Sequence, residues 1–233
     1  MSVTDVQFQA ETFTGSTLRG RLFHAGKKVL SSEFQWRNHL AKVLDQYPVG
    51  ASIVELGSGC RRIRSDVKNV DLFSFPNVDI VADISSVPLK SETVDLIVLD
   101  SVLEHIADPQ KVVSEAHRLL VAGGKLFINC PQVFPYHGYP AHFQNFTRDG
   151  LRHLLRDFSS CEIHTTLGPM SAWINFTAES FAVIVAGERG LGYIVAKALA
   201  MLPIFWLKYL DAFFSRMERS HRIAGMLCAI AVK

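Results

Sequence analysis

Apolar residues gather into seven short runs, at 51–56, around 68–72, and at 78–82, 94–99, 125–130, 161–166 and 226–232, each of strand length and bounded by turn-forming or helical stretches. Between these runs the spacing changes. Val112, Ala116, Leu119 and Leu120 recur at helical intervals behind Asp108-Pro109, a good N-cap and first-turn pair, with Gly123-Gly124 as the expected stop. Thr147 predicts a second cap, followed by Leu151, Leu154, Leu155 and Phe158 on one helix face. Upstream, Phe34, Trp36, Leu40, Val43 and Leu44 predict a helix that ends at Pro48 and Gly50, while residues 1–30 are polar and irregular. Alternation of β with α predicts a doubly wound, largely parallel seven-stranded sheet of the α/β class. The expected organisation is an N-terminal extension and leading helix over 1–50, then one main domain over 51–233.

That domain contains a stretch the core fold does not need, 170–222, read as an apolar helical insertion before the last strand. Lys197, Pro203, Lys208 and Asp211 interrupt its apolar residues, so no membrane-spanning run is expected. Trp206, Phe213 and Phe214 beside Lys208, Arg216, Arg219 and Arg222 fit a surface-lying interfacial segment, and 190–222 is the expected site of peripheral membrane contact. A lid or dimer surface packed on the core is the competing reading. Composition narrows the partners further. Lys and Arg total 24 against 22 Asp and Glu, a net charge of +2, which gives no electrostatic case for nucleic acid. Cys60, Cys130, Cys161 and Cys228 are widely spaced, so neither a disulfide framework nor a zinc site is expected, and no metal. An N-terminus without a basic-then-apolar leader adds to the expectation of a cytoplasmic protein.

In open α/β sheets ligands sit beyond the carboxyl ends of the strands. Here the first run ends in Glu55, Gly57, Ser58 and Gly59, the second in Asp71-Leu72, the third in Asp83-Ile84, and the fourth in Asp100-Ser101. A Gly-X-Gly turn lets the backbone bend sharply and approach a ligand, although ordinary tight bends use it too. A dinucleotide cradle needs a third glycine where Arg62 stands and a helix behind it; residues 59–71 leave little room for that, which removes a nicotinamide oxidoreductase. A ligand with ribose and adenine but no phosphate wants one carboxylate for the diol and another for the amine, and Asp71 and Asp83 are placed to supply them. S-adenosylmethionine is such a ligand, and its positive amine and sulfonium suit an acidic edge.

Together these residues resemble the class I S-adenosylmethionine-dependent methyltransferases, in particular the type 11 group, over about residues 50–168. The resemblance is carried by Val54-Glu55-Leu56-Gly57-Ser58-Gly59, Val70-Asp71-Leu72, and Val81-Ala82-Asp83-Ile84 with Val87-Pro88-Leu89. It continues through Val94-Asp95-Leu96-Ile97, then Ser101-Val102-Leu103-Glu104-His105 with Asp108-Pro109, then Leu119-Leu120 and Gly123-Gly124-Lys125-Leu126. The resemblance implies a Rossmann-like methyltransferase fold with an antiparallel last strand, and S-adenosylmethionine as cofactor. It implies Glu55 and the glycines at the methionine end, Asp71 on the ribose, and Asp83 with the Ile84 backbone on the adenine; Ser58, Leu72 and Asp100 complete the candidate cofactor set. Many members carry a glycine where Arg61 stands, and the short stretch 60–68 implies a reduced or absent first crossover helix.

Methyl transfer needs an aligned nucleophile and, for a hydroxyl or amine, a base that titrates near neutrality. Residues 134–147 follow the fifth strand and bring two histidines and two tyrosines into one loop. His137 is the first candidate, followed by His142 and His105. Relatives resembling this chain carry an acid where His142 stands and an arginine where Asn145 stands; His137, Pro140 and Thr147 keep the pattern. The expected activity is methyl transfer to a small-molecule, glycan-like or lipid-linked acceptor, with a non-catalytic binding protein as the alternative.

Overall fold

The computed structural model describes residues 31–35, 37–138 and 141–233; the polar stretch 1–30, Trp36, Tyr139 and Pro140 fall outside it. A short helix α1 (His39–Leu44) leads into β1 (Ile53–Leu56), β2 (Lys68–Asp71), β3 (Ile80–Val81) and β4 (Val94–Asp100). Then follow α2 (Pro109–Leu119), β5 (Leu120–Pro131), α3 (Arg148–Leu154) and β6 (Ser160–Leu167). The insertion is helical, with α4 (Pro169–Ala186), α5 (Leu191–Met201), a 3-10 stretch (Phe205–Leu210) and α6 (Asp211–Phe214), before β7 (Met226–Val232) closes the sheet.

All seven expected strands form one sheet in the order β3-β2-β1-β4-β5-β7-β6. β1 to β5 run parallel, while β7 lies antiparallel between β5 and β6. Its core follows from strand alternation, because successive side chains leave a strand on opposite faces. Ile97, Leu99, Leu126 and Ile128 join Val112, Ala116 and Leu151 on one face, whereas Leu96, Val98 and Phe127 meet Val43, Leu44 and Val67 on the other. No helix intervenes between β1 and β2, as the short stretch implied.

Local differences have physical reasons. The leading helix starts at His39 rather than at Phe34, where the Asn38 side chain accepts the Ala41 N–H and sets the first turn. Asp108 makes no capping hydrogen bond, and Pro109 alone marks the start of α2. Gly123-Gly124 does not stop that helix. α2 ends at Leu119, and the glycines lie inside β5, where the pairing jumps from Val94↔Leu120 to Leu96↔Lys125 and Gly123 takes φ +77°. Thr147 caps α3 as expected, accepting the Gly150 N–H at 3.1 Å.

Candidate functional site

β1 delivers the chain to its carboxyl edge at Leu56, and the next three residues turn back under the end of β2. Gly57 has φ +72° and donates its N–H to the Val70 carbonyl at 2.8 Å. A Cβ there would meet the Val102 methyls at 2.7 and 2.8 Å, so glycine is required by conformation and by space. Asp71, at the end of β2, accepts the Gly59 N–H at 2.8 Å and the Phe73 N–H at 2.9 Å, which ties the glycine turn to the second strand. Asp83 accepts the Ser85 N–H and hydroxyl at 2.8 and 2.7 Å, and these bonds hold its carboxyl below the usual range. Ser101, just beyond β4, takes φ +61°, a strained conformation for a non-glycine residue at a site edge.

These four strand ends border a cavity of about 600 Å³. Gly57, Gly59, Asp71, Leu72, Asp83 and Ile84 line one part, and Ser101, Val102, His105, Ile106 and Lys111 another, with Phe73 and Phe75 as aromatic wall. Its size falls within the roughly 300–1,000 Å³ of small-molecule pockets, and carboxylates on a largely apolar wall fit a ligand with hydroxyls, an amine and a flat ring.

Glu55 and Asp100 are not wall residues. Glu55 is fully buried and takes the Arg61 guanidinium at 2.6 Å, while the same Nη2 reaches Asp100 Oδ2 at 2.9 Å. Burial pushes the Glu55 carboxyl up despite that cation. Arg62 donates to the Val67 and Asn77 carbonyls at 2.6 and 2.7 Å and pairs with Asp79 at 3.0 Å. Arg61 and Arg62, adjacent in sequence, thus clamp two separate sets of partners. Ser58 is buried beside the turn and also off the wall.

The three candidate histidines converge from two segments. Their ring centres lie 5.3 Å apart for His105 and His137, 4.4 Å for His137 and His142, and 6.1 Å for His105 and His142. The loop carrying His137 and His142 is docked on the segment after β4, because the Phe143 N–H donates to the Glu104 carbonyl at 2.8 Å and His105 Nδ1 meets the Ala141 carbonyl at 2.6 Å. His105 lines the cavity; the other two stand outside its wall. His142 has both nitrogens engaged, accepting the His137 backbone N–H at 3.2 Å and meeting Asn145 Oδ1 at 2.8 Å, and burial lowers its pKa. His137 is raised by the neighbouring Glu104 carboxylate. In the sequence Glu104 is only a motif position between Leu103 and His105; its complete burial beneath the histidines is not legible there.

Residues 58–128 match a family model described as "Methyltransferase domain". A 59-residue stretch is 37% identical to an uncharacterized 37.1 kDa protein in transposon TN4556 of Streptomyces fradiae, covering 25% of this chain and 17% of that protein. In overall structure the chain is similar to phosphoethanolamine N-methyltransferase 2 of Haemonchus contortus, solved with S-adenosyl-L-methionine, with TM-score 0.52 and 16% identity over 95% of this chain and 58% of that one. It is equally similar to an S-adenosylmethionine-dependent methyltransferase of Thermotoga maritima, with TM-score 0.52 and 16% identity over 91% and 95%. At such identity the likeness describes the fold. The chain spans less than two thirds of the length of either the Streptomyces or the Haemonchus protein.

Proposed function

We propose that this chain, which has the class I methyltransferase fold and matches a methyltransferase domain over residues 58–128, transfers a methyl group from S-adenosylmethionine to a small-molecule, glycan-like or lipid-linked acceptor. The carrying observation is the cavity at the carboxyl edge, where the Gly57–Gly59 turn and the Asp71 and Asp83 carboxylates line one wall together with apolar residues. Bound S-adenosylmethionine supplies a methyl carbon already activated by the sulfonium. Asp71 is assigned to the ribose, Asp83 and the Ile84 backbone to the adenine, with Leu72 as apolar flank, and the glycine turn to the methionine end. Glu55 and Asp100 act through Arg61, whose side chain is 44% exposed and offers a cation to the methionine carboxylate.

The histidine cluster is the acceptor side, with His105 at the wall and His137 and His142 fixing the loop around it. Its task is to align the nucleophile and ease loss of its proton, a contribution of about 10²–10⁴ in rate. Calorimetry with S-adenosylmethionine and S-adenosylhomocysteine tests the cofactor half of this reading. Both are expected to bind, and a folded protein that binds neither defeats it. Mass spectrometry of extracts incubated with enzyme and a labelled methyl donor then identifies the acceptor. Binding without any labelled product points instead to a non-catalytic protein that kept the fold.

A second feature favours contact with a membrane surface through 190–222. Ile194, Leu199, Leu202, Trp206 and Phe213 are all more than half exposed. Among the described residues no single helix is long and apolar enough to cross a bilayer; Leu191–Met201 and Phe205–Phe214 reach that length only as a pair bent by 58°. An exposed apolar face on two helical stretches bent against each other suits an interfacial position. Flotation with anionic liposomes is expected to carry the protein upward, and Ile194→Glu with Phe213→Glu to leave it at the bottom. Equal recovery of both forms in the soluble fraction argues for a lid or dimer surface.

A further inference from the structure

Glu104, His105 and His137 form a three-donor cluster with unusual chemistry. Glu104 is fully buried, and neither carboxylate oxygen has a hydrogen-bond partner. A buried carboxylate left this way carries the full penalty of desolvation unless a cation stands beside it. Two imidazole Nε2 atoms stand beside it, 3.9 Å away for His105 and 3.7 Å for His137, both beyond hydrogen-bond length. Each ring is oriented by its other nitrogen. His105 Nδ1 lies 2.6 Å from the Ala141 carbonyl and His137 Nδ1 lies 3.1 Å from the Pro135 carbonyl. A carbonyl only accepts, so both Nδ1 atoms carry hydrogen, and in the neutral rings both Nε2 lone pairs face the carboxylate.

Two lone pairs directed at a buried carboxylate repel it unless a positive charge lies between them. We propose that Glu104, His105 and His137 bind a divalent transition-metal ion of the zinc type. The three donor atoms lie within 4.8 Å of one another. Zinc–ligand bonds of about 2.0–2.2 Å put tetrahedral donors roughly 3.3–3.6 Å apart; the carboxylate stands 3.7 and 3.9 Å from the two imidazole nitrogens, and all three donors lie within 4.8 Å, so side-chain rotation has to draw them together around the ion. Backbone carbonyls on the distal nitrogens are the usual outer support of metal-binding histidines.

Two nitrogens and one oxygen match zinc, cobalt(II) or iron(II) better than magnesium or calcium, which take oxygen donors. Three protein donors leave a tetrahedral ion one open position, the pattern of catalytic ions. Because His105 also lines the cavity, an acceptor oxygen or nitrogen held in that position is kept beside the methyl donor and made easier to deprotonate. That role rests on the methyl-transfer reading, whereas the site itself does not.

Chelator-stripped, untagged full-length protein titrated with cobalt(II) and zinc(II) salts tests the proposal. One ion per chain is expected, with the visible absorption of tetrahedral cobalt. Glu104→Gln and His137→Asn are expected to weaken binding by more than about 100-fold, whereas His153→Asn, an exposed histidine outside the cluster, leaves it unchanged. Far-ultraviolet circular dichroism and S-adenosylhomocysteine binding on every variant report the fold and the cofactor reading separately. Folded wild type that binds no metal, or binding equally tight in Glu104→Gln and His137→Asn, overturns the site. Loss of cofactor binding with metal stoichiometry intact rejects the methyl-transfer reading alone.

Discussion

Arg61 touches Glu55 and Asp100 through the same Nη2 atom, at 2.6 and 2.9 Å, and Glu55 has no exposure to water. Arg61→Ala therefore leaves a buried acceptor unsatisfied, which costs on the order of 1–3 kcal/mol. Adding Glu55→Gln removes the stranded charge, so the double variant is expected to recover part of that loss in urea denaturation. A double variant less stable than Arg61→Ala alone contradicts this account. Gly57 is the second test. Its φ of +72°, together with Val102 methyls that a Cβ would meet at 2.7 and 2.8 Å, predicts that Gly57→Ala loses about 1–3 kcal/mol and displaces the turn toward the cavity. Cofactor affinity should fall with it, and unchanged calorimetric affinity counts against the turn's role. Gly57 and Asp71 are readable from sequence because each closes an apolar strand run, where a turn glycine and an acid form a recognisable pattern even though the bonds they make reach another strand. Arg61 is not, since its second carboxylate lies in another strand and only the folded sheet brings them together.

At the scale of elements, the insertion is fastened by groups that interrupt its apolar pattern. Asp211 opens α6, yet its carboxylate is fully buried and accepts the Met170 and Ser171 N–H groups at 2.9 and 2.8 Å, capping the N-terminus of α4. Lys208 is buried as well and donates to the Ser31 carbonyl at 2.7 Å, while Lys197 pairs with Glu179 at 2.6 Å. In the sequence these side chains have the pattern of solvated breaks and a basic flank; in the fold they are internal ties, so deleting 190–222 would damage the fold along with any membrane contact. Asp211→Ala is expected to destabilise the protein by about 1–2 kcal/mol and to speed hydrogen exchange in 169–186, with Asp211→Asn milder on both. Exchange that accelerates equally across β4 and β5 would show a global effect and not a lost cap. Helical spacing makes the insertion visible in the sequence, but spacing carries no information on which polar residue reaches across to another helix.

For the whole molecule, strand number and order of motifs are legible because a buried parallel sheet writes near-continuous apolar runs into the chain. What alternation does not record is how the edges of the fold are joined. α1 and β6 are far apart in sequence, yet His39 stacks on His164 with ring centres 4.9 Å apart and planes 14° from parallel. Burial, then the neighbouring His164, Lys42 and Arg37, lowers the His39 pKa from 6.5 to about 4. Between those two values the unfolded chain binds a proton at this position and the folded protein does not. Stability contributed by the neutral ring is therefore complete above about pH 6.5, declines as pH falls, and changes little further below about 4. Asp66, Asp79, Asp83 and Glu115 have lowered pKa values, so their losses begin near the ordinary carboxylate range and deepen at more acidic pH. The two windows overlap only near pH 4. Denaturation midpoints measured from about pH 7 to 5 should fall for the wild type and fall less steeply for His39→Gln, whose amide stays neutral throughout. Parallel slopes for the two proteins would assign the acid response to another group.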